Sequence, residues 1–396
     1  MEMNKKILIL SPDVPFPDNY GGALDMWKRV EYLKGMGFSI HLVSLYRDDS
    51  RLKQFEASEQ YKVVDVHVPV KYQPSFSLKM LWYPAAMTIR SIGRADLRRI
   101  KQQLLSHYDY ALIENSKSIL TFSELKRHIA IRFDKVYVRM QNCEWEYYEY
   151  MANAETSLLK KIFYTTESIK FRLSEKKLAE DKSVDGLLFI SERDKNFYGP
   201  QVQKSMVLPV FLSPTEKEVS FSTRKNLLLF IGNLELSDNV AAVEKLCGYL
   251  KDWLKVHPDC KLVIAGKNKS GVNPFASFDA ENIEVMFNIP HDKKEQLIED
   301  AKVFCSFSMN PAGVKLKTLE GASAGLPILA NNNACDGSGL ESVVMNIDNE
   351  SKAVIFAQLD QVMGDMSLFK EMSDSVSLAY RKLMDDAANA HAEIFS

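Results

Sequence analysis

In "NLLLFIGNLELSDNVAAVEKLCGYLKDWL", residues 226–254, an apolar strand runs into a glycine turn at Gly232–Asn233 and leaves it as a helix through Asn239–Leu254. "CKLVIAGKN" (260–268) repeats the strand–glycine unit, and "NIEVMFNI" (282–289), "KVFCSFS" (302–308) and "PILAN" (327–331) read as further strands. On the amino-terminal side the same rhythm is present. Ile7–Leu10 is a buried first strand, followed by the turn "SPDVPFPDNYGGA", a helix over Leu24–Met36 ending at Gly37, and the strand "FSIHLVSLY". "VVDVHVPV" (63–70), "YALIEN" (110–115), "KVYVRM" (135–140) and the start of "GLLFISERD" (186–194) continue the series. Strands alternating with helices at this spacing argue for parallel sheets covered by helices.

The expected fold is therefore α/β, with two doubly wound, Rossmann-like domains facing each other across a cleft. The boundary is placed in the polar, proline-broken "FLSPTEKEVSFSTRKN", which gives domains at 1–210 and 211–380. A carboxy-terminal helix over 381–396 could cap either domain. No internal sequence repeat marks the two halves; their similarity is one of element pattern. In open parallel sheets ligands sit at the carboxyl ends of the strands.

At 396 residues the chain is long enough for two domains. A formal net charge of -2 gives no field favouring nucleic acid, and no nucleic-acid-reading module is present. The five cysteines lack metal-ligand spacing and read as reduced, inert thiols of a cytosolic protein. The apolar run near the amino terminus is too short for a signal peptide or a membrane span, so a cytoplasmic chain is expected.

Chemistry is expected in the loops. "DNYGGAL" (18–24) puts Gly21 and Gly22 between a strand and its helix, where backbone can approach a ligand and helix amides can meet an anion, or where the chain simply turns. The G-x-G-x-x-G spacing is absent. Gly232 with Asn233, and Gly266 with Lys267, sit on two more such loops. Lys267 either meets a phosphate or is a solvated surface charge.

"NPAGVKLKTLEGASAGLPILANNNACDG" (310–337) is the richest loop. Gly313 leaves room before a short helix, whose Val314, Leu316, Leu319, Ala322 and Ser323 suit packing on a sheet, and Gly325 and Pro327 end it. Lys315 and Lys317 lie in its first turn, poorly placed for the helix dipole unless a diphosphate binds there. Glu320 could accept two sugar hydroxyls; alternatively Lys317 and Glu320 form a surface pair.

In "VRMQNCEWEYYEYMA" (138–152), Asn142 and Glu144 sit where a strand emerges, to orient an acceptor or support the floor of a site. Ser191 reads as a helix cap. Residues 71–103 carry seven Lys or Arg and one acid, Asp96, with Trp82 and Tyr83 among them. That mixture suits either contact with the inner face of a membrane or a phosphate-bearing acceptor, or else a solvated helix pair with buried aromatics.

Taken in order, these stretches resemble a GT-B glycosyltransferase of the glycosyltransferase family 4 type. The resemblance covers nearly the whole chain and rests on "SPDVPFPDNYGGA", "RMQNCEWEYYEYMA" beside the family's H-N-x-E, "VDGLLFISERD", "LLFIGNLELSDNVAAV" and "AGVKLKTLEGASAGLPILAN". It implies a first domain on the acceptor side and a second that holds a nucleotide-diphosphate sugar. Transfer would retain anomeric configuration and use neither metal nor cofactor, the nucleotide sugar being the donor substrate. The acceptor would be a glycan or lipid-linked glycan of the cell surface. Lys315, Gly22, Asn142 and Glu144 would serve the chemistry. Gly21, Gly22, Gly232, Asn233, Gly266, Lys267, Gly313, Val314, Lys315, Leu316 and Glu320 would hold the donor, Glu320 on the ribose.

Three departures stand out: Ala312 replaces the first glutamate of E-x7-E, Asn233 the usual arginine and Gln141 the usual histidine. Glutamine cannot act as a base near neutral pH. The alternatives are a scaffold protein that kept the fold without turnover, and a sugar-nucleotide epimerase of the same fold.

Overall fold

The computed structural model describes residues 5–18, 20–72, 76–198, 204–212, 220–269, 272–276 and 282–396. The chain forms two compact units, one of Met1–Phe211 with Ala387–Ser396 and one of Leu212–Asp386. Part of the expected boundary segment, 213–219, lies outside the described residues, as does Asn19 of the first glycine loop.

In the first unit, strands β1 (Lys6–Ser11), β2 (Ser39–Tyr46), β3 (Val66–Lys71), β4 (His107–Glu114), β5 (Arg132–Met140), β6 (Gly186–Phe189) and β7 (Ser205–Val207) form one parallel sheet. Its order is β3-β2-β1-β4-β5-β6-β7. The helices are α1 (Gly21–Gly35), α2 (Asp49–Glu56), α3 (Ala85–Thr88), α4 (Arg94–Gln103), α5 (Ile119–His128), α6 (Glu144–Ala154), α7 (Leu158–Ala179) and α8 (Glu192–Tyr198).

β1 shows why the run Ile7–Leu10 is apolar without alternation. Ile7 and Ile9 pack with Trp27, Val30 and Leu33 of α1. Leu8 and Leu10 face the other way, onto Leu97 and Ile100 of α4 and Phe122 and Leu125 of α5. A strand covered on both faces has no polar side.

The second unit repeats the scheme. β8 (Leu227–Asn233), β9 (Lys261–Lys267), β10 (Ile283–Phe287), β11 (Val303–Ser306), β12 (Ile328–Ala330) and β13 (Met345–Asn346) pair in parallel in the order β10-β9-β8-β11-β12-β13. Its helices are α9 (Ser237–Val256), α10 (His291–Asp300), α11 (Leu316–Ser323), α12 (Asn332–Cys335), α13 (Lys352–Gly364) and α14 (Met366–Phe395). Leu228 and Phe230 pack on Leu246, Leu250 and Trp253 of α9, while Leu227 and Leu229 meet Leu297 of α10 on the opposite face.

Both sheets start in the middle, wind outward, return and wind the other way. The strand order reverses between β1 and β4 in one unit and between β8 and β11 in the other. Such switch points open a crevice at the carboxyl ends of the two strands.

Several boundaries differ from the sequence reading. α1 begins at Gly21, so the paired glycines are its first turn. β3 begins at Val66, because Glu59–Val63 is a 3-10 turn. β7 and β13 are edge strands of three and two residues, without an apolar run to announce them. The expected helix over 381–396 is the end of α14, which starts at Met366. Its residues to Asp386 belong to the second unit and the rest to the first.

Candidate active site

In the second unit the switch point gathers most of the expected donor residues. Gly232 and Asn233 end β8 and lie in register with Gly266 and Lys267 of β9. The Leu234 amide donates to the Lys267 carbonyl at 2.9 Å, which ties the two strand ends together. Gly266 is required by this contact: a Cβ there would stand 2.0 Å from the Gly232 carbonyl oxygen. Lys267 is exposed and 3.9 Å from Glu235, a weak surface pairing.

The loop after β11 forms the other wall. Asn331 holds it by accepting from the Ser308 amide at 3.0 Å and donating to the Ser308 carbonyl at 2.8 Å. Gly313 takes φ +70°, the left-handed conformation that glycine adopts without strain. Lys315 is the residue before α11, not inside it, and its side chain does not cap the helix. Its ammonium folds back onto the carbonyls of Ala312 and of Gly313, the latter at 2.8 Å. Of the residues expected to pack on the sheet, Val314, Leu316 and Ser323 are half-buried, whereas Leu319 and Ala322 are buried and are joined there by Thr318 and Gly321. Gly321 allows this, since a Cβ would lie 2.6 Å from the Phe304 ring.

Lys317 turns inward. Its ammonium donates to the Phe307 carbonyl, lies 3.3 Å from Asn239 Oδ1 and sits 4.9 Å above the Phe230 ring. Asn239 in turn donates to the Asn233 carbonyl at 2.9 Å, so one side chain links the β8 turn to the head of α11. Burial, and then the neighbouring Lys315, push the Lys317 ammonium down to about 7. The positive end of the helix dipole acts in the same direction. The expected surface pair of Lys317 with Glu320 is not formed: Glu320 pairs with Lys294 of α10. Asn239 was missed by sequence reasoning; its one signal was its place in the first turn after the glycine loop.

In the first unit Gly21 is exposed and Gly22 half-buried at the head of α1. A Cβ on Gly22 would lie 3.2 Å from the Tyr20 ring and 3.4 Å from Gln141 Oε1, so the helix start stands against the end of β5. Asn115, at φ +82°, turns the chain after β4. Its amide lies 3.4 Å from Gln141 Oε1 and 3.3 Å from Glu144 Oε1. Glu144 is buried and accepts from Lys117 at 2.6 Å, which makes it a support for the strand ends. Asn142 Oδ1 is buried and has no hydrogen-bond partner among the described residues, an acceptor left for a donor group.

Beneath α1 lies a charge network that sequence reading did not identify. Arg29 bonds Glu114 at 2.7 Å and Asp25 at 2.6 Å, and Arg139 bonds Asp25 at 3.0 Å; all four side chains are buried. Gln141 Nε2 reaches Glu114 at 3.4 Å, which connects the network to the Gly22 wall. The two arginines hold the Asp25 carboxyl far below the ordinary range against the cost of its burial. Removing one member of such a set costs about 3–5 kcal/mol. Ser191 caps α8 as expected, accepting from the Asp194 amide at 3.1 Å, and the five cysteines are buried free thiols.

The fold and these two switch-point edges define a GT-B protein. The family described as Glycosyl transferases group 1 matches residues 225–360, which contain every strand of the second unit's sheet. An uncharacterized 44.6 kDa protein in the cps region of Klebsiella pneumoniae is 30% identical over 351 residues, covering 84% of each chain. The chain belongs to one family with that protein, and its second unit is a group 1 glycosyltransferase domain. Solved structures agree on the fold. S. aureus TarM, in a complex containing UDP and alpha-GlcNAc-glycerol, is 11% identical, covers 98% of this chain and 99% of its own, and has a TM-score of 0.65. Anabaena HepE, in complex with UDP and glucose, is 10% identical, with 98% and 100% covered and a TM-score of 0.61. A trehalose-6-phosphate synthase studied for glycosyl transfer with retention is 12% identical, with 96% and 99% covered and a TM-score of 0.55.

Proposed function

We propose that the protein transfers a sugar from a UDP-linked donor to a glycan or lipid-linked glycan acceptor during cell-surface polysaccharide assembly. It would work at the cytoplasmic side of the membrane, as a retaining, metal-independent enzyme of the family 4 type. One observation carries this reading: Lys315, Lys317, the start of α11 and the Gly232–Asn233 turn converge at the switch point of the second sheet. The relative from a cps region supports the pathway, and the UDP complexes of TarM and HepE support the nucleotide.

The chemistry asks for positive charge where the leaving group gathers negative charge. As the bond from the anomeric carbon to the diphosphate oxygen breaks, the acceptor hydroxyl oxygen bonds that carbon, and its proton passes to the departing phosphate. Lys315, released from the Ala312 and Gly313 carbonyls, and the amides of Val314 and Leu316 would face the diphosphate. Lys317 would supply the charge that Asn233 does not. Glu320 would exchange Lys294 for the ribose hydroxyls. In the first unit Gly21 and Gly22 would offer backbone to a ligand, and Asn142 would accept from a sugar hydroxyl, with Glu144 bracing it. Gly266 and Lys267 would shape the far side of the β8 turn.

Calorimetric titration with UDP, GDP and ADP and their sugar conjugates tests the proposal. UDP and one UDP-sugar should bind in the micromolar range, with at least roughly tenfold weaker binding in Lys315→Ala and Glu320→Ala, about 1.4 kcal/mol each. A folded protein that binds none of the nucleotides would remove the donor site and leave the scaffold alternative.

A further inference from the structure

Among the described residues no helix is long and apolar enough to cross a membrane. The first unit nevertheless exposes large apolar side chains along one helix. On α7, which packs along α6, Leu158, Leu159, Ile162, Phe163, Ile169 and Leu173 are between 46% and 81% exposed. Leu158, Ile162, Ile169 and Leu173 recur at helical spacing and form one outward stripe.

The charges on this helix are sorted. Lys160, Lys161, Arg172, Lys176 and Lys177 are exposed. Its two acids, Glu167 and Glu175, are fully buried. Glu167 accepts from the Ala85 amide at 2.6 Å, and Glu175 from Ser116 at 2.9 Å and Tyr198 at 2.6 Å. The outer surface of α7 is thus apolar and cationic; the acids nearest it in the chain are half-buried Glu155, 3.9 Å from Lys160, and exposed Glu149 on α6 and Glu180 beyond the helix end.

The surface continues onto the Leu78–Leu81 turn, whose Met80 carbonyl accepts from Lys170 at 2.7 Å. Leu78, Leu81 and Trp82 are 60–70% exposed, so Trp82 is not one of the buried aromatics of a solvated helix pair, while Tyr83 is half-buried. A groove of about 480 Å³ between the two elements is lined by Leu78, Lys79, Trp82, Leu173 and Lys177.

We infer that α7 and the Leu78–Trp82 turn are a docking surface for an anionic lipid bilayer. The apolar stripe enters the headgroup boundary, and the flanking cations meet lipid phosphates. A second copy of the chain fits less well, because two such faces would bring cation against cation with no exposed acid on either helix. The inference deepens the membrane-side reading of the acceptor and rests on it, but relocates the contact from the 71–103 segment alone to a helix that the sequence reading passed over.

The test is flotation of the full chain with vesicles of phosphatidylcholine, with and without phosphatidylglycerol. Binding should require phosphatidylglycerol, fall with added salt, drop roughly 20-fold in Lys160→Gln/Lys161→Gln and be lost in Leu159→Asp/Ile162→Asp. Equal partitioning to both vesicles, or none by folded protein, overturns the inference. So does a dimer in solution that Leu159→Asp separates, since a second copy would then own the face. UDP titration of the same samples keeps the two readings apart: the α7 variants should bind UDP as the parent does. Lost UDP binding in the parent, with vesicle binding intact, would fault the transfer reading only.

Discussion

A lysine in the first turn of a helix stands against the positive end of the dipole, and Lys317 stands there with its ammonium turned onto the Phe307 carbonyl and Asn239. With its protonation pushed down to about 7, it is largely neutral at about pH 8, where a terminal phosphate, which ionises near about 6, is already fully charged. A diphosphate at the head of α11 favours the charged lysine and raises its value again, so binding should draw in a proton. UDP titrations at pH 8 in buffers of different ionisation enthalpy should report that uptake, and Lys317→Met should abolish it. Uptake should also vanish below about pH 6, where the lysine is charged before binding. The sequence placed Lys317 in the first turn but not its direction. Whether such a side chain points to solvent or under the helix depends on Phe230, Phe307 and Asn239, which lie 10 to 87 residues away in the chain. The Asp25–Arg29–Glu114–Arg139 network was hidden for the same reason. Charges four apart on a helix look like a surface pair until Arg139, on another element, turns out to meet them.

At the scale of elements, glycines that read alike do different work. Gly266 faces backbone, and a methyl group there would sit 2.0 Å from the Gly232 carbonyl oxygen, while Gly22 faces the movable side chains of Tyr20 and Gln141. Gly266→Ala should therefore force β8 and β9 apart at their ends and lower stability by about 1–3 kcal/mol in urea unfolding. It should also weaken UDP binding by displacing the Gly232–Asn233 turn. Gly22→Ala should leave the unfolding midpoint near that of the parent. The alternation that makes two doubly wound sheets was legible because the central strands sit between two helix layers and carry apolar runs such as Ile7–Leu10 and Leu227–Ile231. β7 and β13 were not, since two or three residues at a sheet edge carry no periodicity. The expected packing face of α11 missed Thr318, whose hydroxyl bonds Ser306 at 2.7 Å inside the unit, because a buried threonine looks like a surface residue in sequence.

Across the whole molecule the second unit is an insertion in the first, with the chain leaving after Phe211 and returning at Ala387. The return is structural. Phe395 is buried against Phe38, Tyr110 and Tyr137, and the Tyr110 hydroxyl donates to the Ser396 carbonyl at 2.7 Å. Phe395→Ala should cost about 3–5 kcal/mol. Amide hydrogen exchange should accelerate in β1 and β4 and stay unchanged in β8 and β9.

The same return orders events at the ribosome. The inserted unit is contiguous and can close as soon as its own residues have emerged. The first unit, though begun hundreds of residues earlier, waits for the far end of α14 before its core is complete. Until then the first unit has its sheet covered by its own helices but lacks the last strip of core, where Ile394 and Phe395 close over Phe38, Tyr110 and Tyr137.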